Sequence, residues 1–144
     1  RLAMSPDVAC FENGKLAIGT DIRFPATHKK EEVLSALDKA GVSYKVLHDQ
    51  APLYNDPNGR LISTLMRVYN TALGKDEKAI AIGGGTYARD FPNAVSFGPE
   101  HPERPQPDFA GPIHGVDEAA SIDFLMEALK VYILALIELE KLDF

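Results

Sequence analysis

Only one cysteine, Cys10, stands among the 144 residues. That excludes an internal disulfide and a Cys-based zinc site, so the chain does not depend on an oxidising compartment and the cytoplasm is its expected location. Long apolar runs are scarce too. The longest uninterrupted one, Val131 to Ile137, has seven residues, far fewer than the ~20 needed to span a bilayer, and no membrane span is expected. A basic stripe is also missing. Fifteen Lys and Arg face 21 Asp and Glu for a net charge of −6, and seven acidic against two basic residues in 117–144 account for most of it. A protein that grips phosphate backbones needs concentrated positive charge, so nucleic acid is excluded as a partner. The chain opens with Arg1 and carries no charged-then-apolar leader, which predicts no signal peptide and leaves a fragment as an expectation. Internal repeats and low-complexity tracts are absent.

What is present is a composition able to bury a core: 45% hydrophobic and 25% charged residues, in a length that fits one domain or pieces of two. Asn13-Gly14 is a strong hairpin signal, because both residues tolerate the positive φ of a type I′ turn. In the return strand Leu16, Ile18, Thr20, Ile22 and Phe24 share one face, while Ala17, Gly19, Asp21 and Arg23 share the other. Pro25 ends that strand, and Thr27 is placed to cap a helix. Val33, Leu34, Leu37 and Ala40 form one helical stripe closed by Gly41, which predicts that helix from Lys29 to Ala40. Val42 to Leu47 reads as a further strand, so that one helix packs on a small sheet. A boundary is expected between Leu47 and Asp56.

Asp56-Pro57 reads as a helix start, and Leu61, Ile62, Leu65, Met66, Tyr69, Ala72 and Leu73 repeat at helical spacing up to Gly74. Ala79 to Ile82 reads as a short buried strand and leads directly into Gly83-Gly84-Gly85-Thr86. Six of the ten prolines lie from Pro92 to Pro112, which predicts loop with room for a short strand at Ala94 to Phe97. Ser121 is placed to cap a last helix whose apolar residues, Ile122 through Ile137, exceed a narrow stripe. That helix is expected to be largely buried.

Several residues could carry chemistry. The glycine turn with Tyr87-Ala88 matches the degenerate dinucleotide pattern, but no helix can form so close to Pro92, and no Gly-Lys-Ser/Thr completes a phosphate loop. It reads either as a tight turn leaving a sheet or as a place where a ligand meets bare backbone. His114, in Gly111-Pro112-Ile113-His114-Gly115, is a possible metal ligand without partners at diagnostic spacing, and taken alone a capping or solvent-facing histidine is the better reading. His28, His48 and His101 look more ordinary still. Glu31-Glu32 sits in a first helical turn, where acids favour the dipole. Arg23 and Arg89 read either as surface ion pairs or as fixed guanidinium forks for a carboxylate.

In combination, Gly83-Gly84-Gly85-Thr86-Tyr87-Ala88-Arg89, Val95-Ser96-Phe97-Gly98-Pro99 and Ile113-His114-Gly115-Val116-Asp117-Glu118 resemble the C-terminal part of the metal-dependent dipeptidases of the aminoacylase, carnosinase and glutamate carboxypeptidase superfamily. Within it they look most like the bacterial V-type Xaa-His dipeptidase branch. The strand carrying Arg23, the helix after it and the Asp56-Pro57 start resemble the second half of that family's lid domain and its return to the catalytic domain. The resemblance implies an α/β protein: an α+β lid portion over residues 1–52 joined to the C-terminal portion of an α/β zinc-peptidase catalytic domain over residues 53–144. It implies a dipeptide substrate and two divalent metal ions, zinc or a related ion, that activate a bridging water. His114 would be a ligand of one ion, Arg23 would bind the substrate's free carboxylate, and Gly84, Gly85, Thr86 and Arg89 would line the dipeptide site.

The departures from the family matter as much. No His-x-Asp occurs, and Glu31-Glu32 falls in the lid helix, so the general base and the other metal ligands are expected in an N-terminal part of the same enzyme that this chain lacks. Alone it is expected to be inactive and to self-associate through its last helix. Two rival readings are a deacylase of N-acyl amino acids with the same metal chemistry, and a non-catalytic binding or dimerisation module.

Overall fold

The computed structural model describes residues 2–98 and 104–143; Pro99 and His101 lie outside them. Strands β1 (Ala3–Glu12) and β2 (Lys15–Arg23) are succeeded by helices α1 (Lys30–Lys39) and α2 (Arg60–Leu73), a short 3₁₀ turn (Tyr87–Asp90) and helix α3 (Ile122–Leu139). Helix and strand are mixed as expected. The chain groups into two compact units, Arg1–Tyr54 with Ala81–Ala94, and Asn55–Ile80 with Val95–Phe144. No helix among the described residues is long and apolar enough to cross a membrane.

In the first unit β1 and β2 form an antiparallel pair whose register closes at Glu12 and Lys15. Asn13 and Gly14 take φ of 51° and 75°, the paired positive values of a type I′ turn. The pairing steps from Pro6 opposite Thr20 to Val8 opposite Gly19, so Asp7 is the extra residue of a bulge. Met4, Val8, Phe11, Leu16 and Ile18 remain more than half exposed. Helix α1 buries Val33 and ends at Gly41, whose φ of 69° is left-handed. Thr27 does not cap it, because its hydroxyl meets the His28 ring at 3.1 Å. Glu32 reaches back to accept from the Lys29 N–H instead. Lys30 donates to Asp49 at 2.6 Å, and that hydrogen bond holds its ammonium pKa above the ordinary value.

The strand expected over Val42 to Leu47 is not formed. The segment is unpaired, because a strand exists only against a neighbouring edge, and among the described residues β1 and β2 pair only with each other. Ala79 to Ile82 is likewise unpaired, with Ile80 and Ile82 exposed. Ala94 to Phe97 is also not a strand; Val95 and Phe97 pack against helices instead.

The second unit is a helix pair. Leu65 and Val68 of α2 pack on Val131 and Ala135 of α3, with Leu61, Tyr69, Leu73, Val95, Phe97 and Leu139 around them. Helix α2 starts three residues after Pro57, not at it: Asp56 accepts from the Asn58 and Gly59 N–H groups in a turn of its own, and Gly59 takes the N-cap position. At the other end Gly74 is left-handed, and both it and Lys75 donate to the Asn70 carbonyl. The Asn70 amide then pairs with both backbone groups of Glu77 at 2.9 Å, fixing the turn beyond the helix. Ser121 caps α3 by accepting from the Phe124 N–H. Tyr132 donates to the Phe97 carbonyl at 3.1 Å and meets its ring edge to face.

Helix α3 is not largely buried. Of its residues only Ala128, Val131 and Ala135 are buried, since α2 shields a single stripe, and Ile122, Leu125, Leu129, Ile133, Leu136 and Ile137 stay exposed.

Candidate functional site

Arg23 is the last residue of β2, and the pleat sets it on the same face as Asp21. Its Nε donates to the Asp21 carboxylate at 2.6 Å and its Nη1 donates to the Gly83 carbonyl at 3.2 Å. A strand end and the glycine turn 60 residues later are thereby joined. Both Nη2 donors have no partner among the described residues, and more than half of the Arg23 side chain is exposed.

None of Gly83, Gly84 and Gly85 uses positive φ. Glycine is not needed there for the turn itself. A Cβ on Gly83 would meet nothing within 4 Å, so the missing side chain leaves open space that a ligand or another segment can approach. Thr86 begins the 3₁₀ turn, and the Arg89 N–H donates to its carbonyl. The turn does not lead into an α-helix, which disposes of the dinucleotide pattern. The Arg89 guanidinium lies beside Gly85, 3.6 Å from where a Cβ would sit, and donates to the Gln50 side chain at 3.4 Å. Gln50 in turn donates to Asp90. Sequence reasoning does not find Gln50: it sits between predicted elements, and nothing local marks it as a partner of residues some 40 positions away.

His114 belongs to the other unit. Its loop is closed by a Gly111 N–H donating to the Asp117 carbonyl at 2.8 Å, by Gly115 donating to the Pro112 carbonyl, and by the Glu118 carboxylate accepting from the His114 N–H at 3.1 Å. His114 and Asp117 both take left-handed φ, 63° and 61°. The imidazole is exposed. A zinc site takes three or four protein donors, and no three His, Cys, Asp or Glu side chains converge anywhere among the described residues. The donor set here does not fit a complete metal centre; it offers one imidazole on a fixed loop. Glu31 and Glu32 stay in the first turn of α1, as their sequence position indicated.

No family model matches the chain, and no solved structure is significantly similar to it. Among curated proteins it is similar to "Putative dipeptidase YtjP" of Bacillus subtilis (strain 168), 34% identical over 125 residues, which is 86% of this chain and 26% of that protein. The "Beta-Ala-Xaa dipeptidase" of Lactobacillus delbrueckii subsp. lactis is 32% identical over 97% of this chain and 30% of its own length. The "Uncharacterized metallohydrolase MJ0457" of Methanocaldococcus jannaschii is 29% identical over 52% of this chain and 23% of its own length. The chain therefore spans less than a third of these relatives. Over that span it is similar to proteins named as dipeptidases and to one named as a metallohydrolase.

Proposed function

We propose that the chain is the C-terminal part of a metal-dependent dipeptidase, with residues 1–52 contributing to a lid and residues 53–144 to the catalytic domain. Arg23 takes the free carboxylate of a dipeptide. Gly84, Gly85 and Thr86 line the site with backbone and hydroxyl groups, and Arg89 borders it. The observation that carries this reading is the hydrogen bond from Arg23 to Gly83, which sets a part-free guanidinium beside a turn stripped of side chains. A guanidinium fork and bare backbone suit a ligand that is itself a short peptide with a terminal carboxylate. The similarity to a protein named for Beta-Ala-Xaa cleavage supports that substrate class.

In the same reading His114 supplies one ligand to a pair of divalent ions, zinc or related, and the remaining ligands and the general base come from the N-terminal part. A bound metal would supply Lewis-acid activation at the scissile carbonyl. The lone Cys10 fits a reducing, cytoplasmic setting.

The test is hydrolysis by the full-length protein containing this segment. Dipeptides are expected to be cleaved, chelation to abolish the activity and divalent ions to restore it. Cleavage of N-acyl amino acids but not dipeptides would make it a deacylase, and turnover of neither would leave a binding module.

A further inference from the structure

The dipeptidase reading assigns Arg23 to the substrate carboxylate but does not say what aims it. An exposed arginine on a strand end has many rotamers, and immobilising one costs free energy that binding must then supply. Here two separate parts of the fold hold the group. Asp21 takes the Nε donor at 2.6 Å from within the same strand, and the Gly83 carbonyl takes an Nη1 donor at 3.2 Å from the glycine turn. Two anchors on different nitrogens fix both the position and the plane of a rigid fork. The two Nη2 donors stay available.

Stability is a weak explanation for the Asp21 contact. Both side chains are substantially exposed, at 57% and 41%, and pairs of that kind add little to folding. As a neighbour, Asp21 is also a competing negative charge for any carboxylate that approaches. A residue that repels the ligand and barely stabilises the fold gains its value from orientation.

We propose that Asp21 is a positioning residue: it holds Arg23 against the Gly83 carbonyl so that the fork is preset for a free C-terminal carboxylate. This rests on the dipeptidase reading, and the two are separable by experiment. In the full-length enzyme, KM and kcat are compared for dipeptides and for their C-terminal amides, with the inhibition constant used for any amide cleaved too slowly.

Asp21→Ala is expected to raise KM for the free dipeptide about two- to fivefold, the scale of an exposed ion pair, with kcat and the amide unaffected. Asp21→Asn, which keeps an acceptor oxygen at the same reach, is expected to recover most of that loss. If both substitutions instead lower KM, Asp21 acts only as a repelling charge and the proposal fails. If Asp21→Ala weakens the dipeptide and the amide equally, the residue is merely structural and the proposal fails as well. Arg23→Ala tests the parent reading: it should weaken the free dipeptide about 10- to 100-fold relative to the amide. A flat response to Arg23→Ala would overturn the assignment of Arg23 itself, whereas a response to Arg23→Ala with none to Asp21→Ala would overturn only the positioning role.

Discussion

A Cβ at Gly111 would overlap the Val116 carbonyl oxygen, so the loop ending in Glu118 closes only around glycine. Gly111→Ala is expected to break the 2.8 Å bond to Asp117 and open the loop, because a methyl group cannot share the space of a backbone oxygen. Amide exchange would show this as lost protection at position 111 and a shifted His114 amide, with little change in the melting of the helix pair. His114 itself occupies a left-handed conformation that costs a non-glycine residue roughly 1 kcal/mol. In the metal-ligand reading position 114 supplies its imidazole and not its backbone. His114→Gly should therefore leave thermal stability unchanged or slightly raised in calorimetry while abolishing hydrolysis by the full-length enzyme. A variant that melts earlier and keeps its activity would return His114 to a structural role.

At the scale of elements, the α2–α3 pair carries the only buried cluster of the second unit among the described residues, and Leu65 is 5% exposed within it. Leu65→Ala is expected to remove about 2–3 kcal/mol, near the low end for a buried leucine because a small core relaxes readily; urea denaturation measures it. The helices are also tied by Arg67, which donates to Glu138 at 2.7 Å. Hydrogen bonds from Lys141 first and Arg67 second hold the Glu138 carboxyl pKa below its ordinary 4.5. A lowered folded value means that the stabilisation is present above the unfolded pKa and is lost as pH falls from 4.5 through the folded value. Glu138→Gln should lower the melting point modestly in the neutral range, where that contribution is present, and should converge with the unaltered chain at acid pH, which flattens the acid limb of the melting curves. Elements of this kind are legible in the residues because their signals are local: Asn13-Gly14 dictates the hairpin turn, Gly74 and Ser121 end and start helices, and the 3.6-residue period marks α1, α2 and α3. Val42 to Leu47, Ala79 to Ile82 and Ala94 to Phe97 read as strands but do not form them, because apolar β-prone residues report a preference, whereas pairing depends on an edge supplied from elsewhere. The same distinction holds at the site. Arg23 and the glycine turn are each visible in the sequence, but the contact between them spans 60 positions, and neither Gln50 nor the bulge at Asp7 has a local signature.

At the scale of the whole molecule, the exposed segments Val42 to Leu47 and Ala79 to Ile82 and the outer side of α3 pose one question, which is what covers them. Leu129, Ile133 and Leu136 succeed one another at helical spacing and are 48%, 51% and 68% exposed, on a helix whose small residues Ala128 and Ala135 are already buried. Apolar side chains clustered this way are driven to remove area from water at about 25 cal/mol per Å², and contiguous patches of that kind mark association surfaces. In solutions of this chain by itself the most abundant complementary surface is the same stripe on a second copy. Light scattering is therefore expected to give a mass above 15.7 kDa that rises with concentration. Leu129→Lys combined with Leu136→Glu places two charges on that stripe while leaving Val131 and Ala135 untouched, and should return the chain to monomer with its α2–α3 melting preserved. A unit-mass species for the unaltered chain across the concentration series would mean that the stripe is tolerated in water, and the association would have to be abandoned.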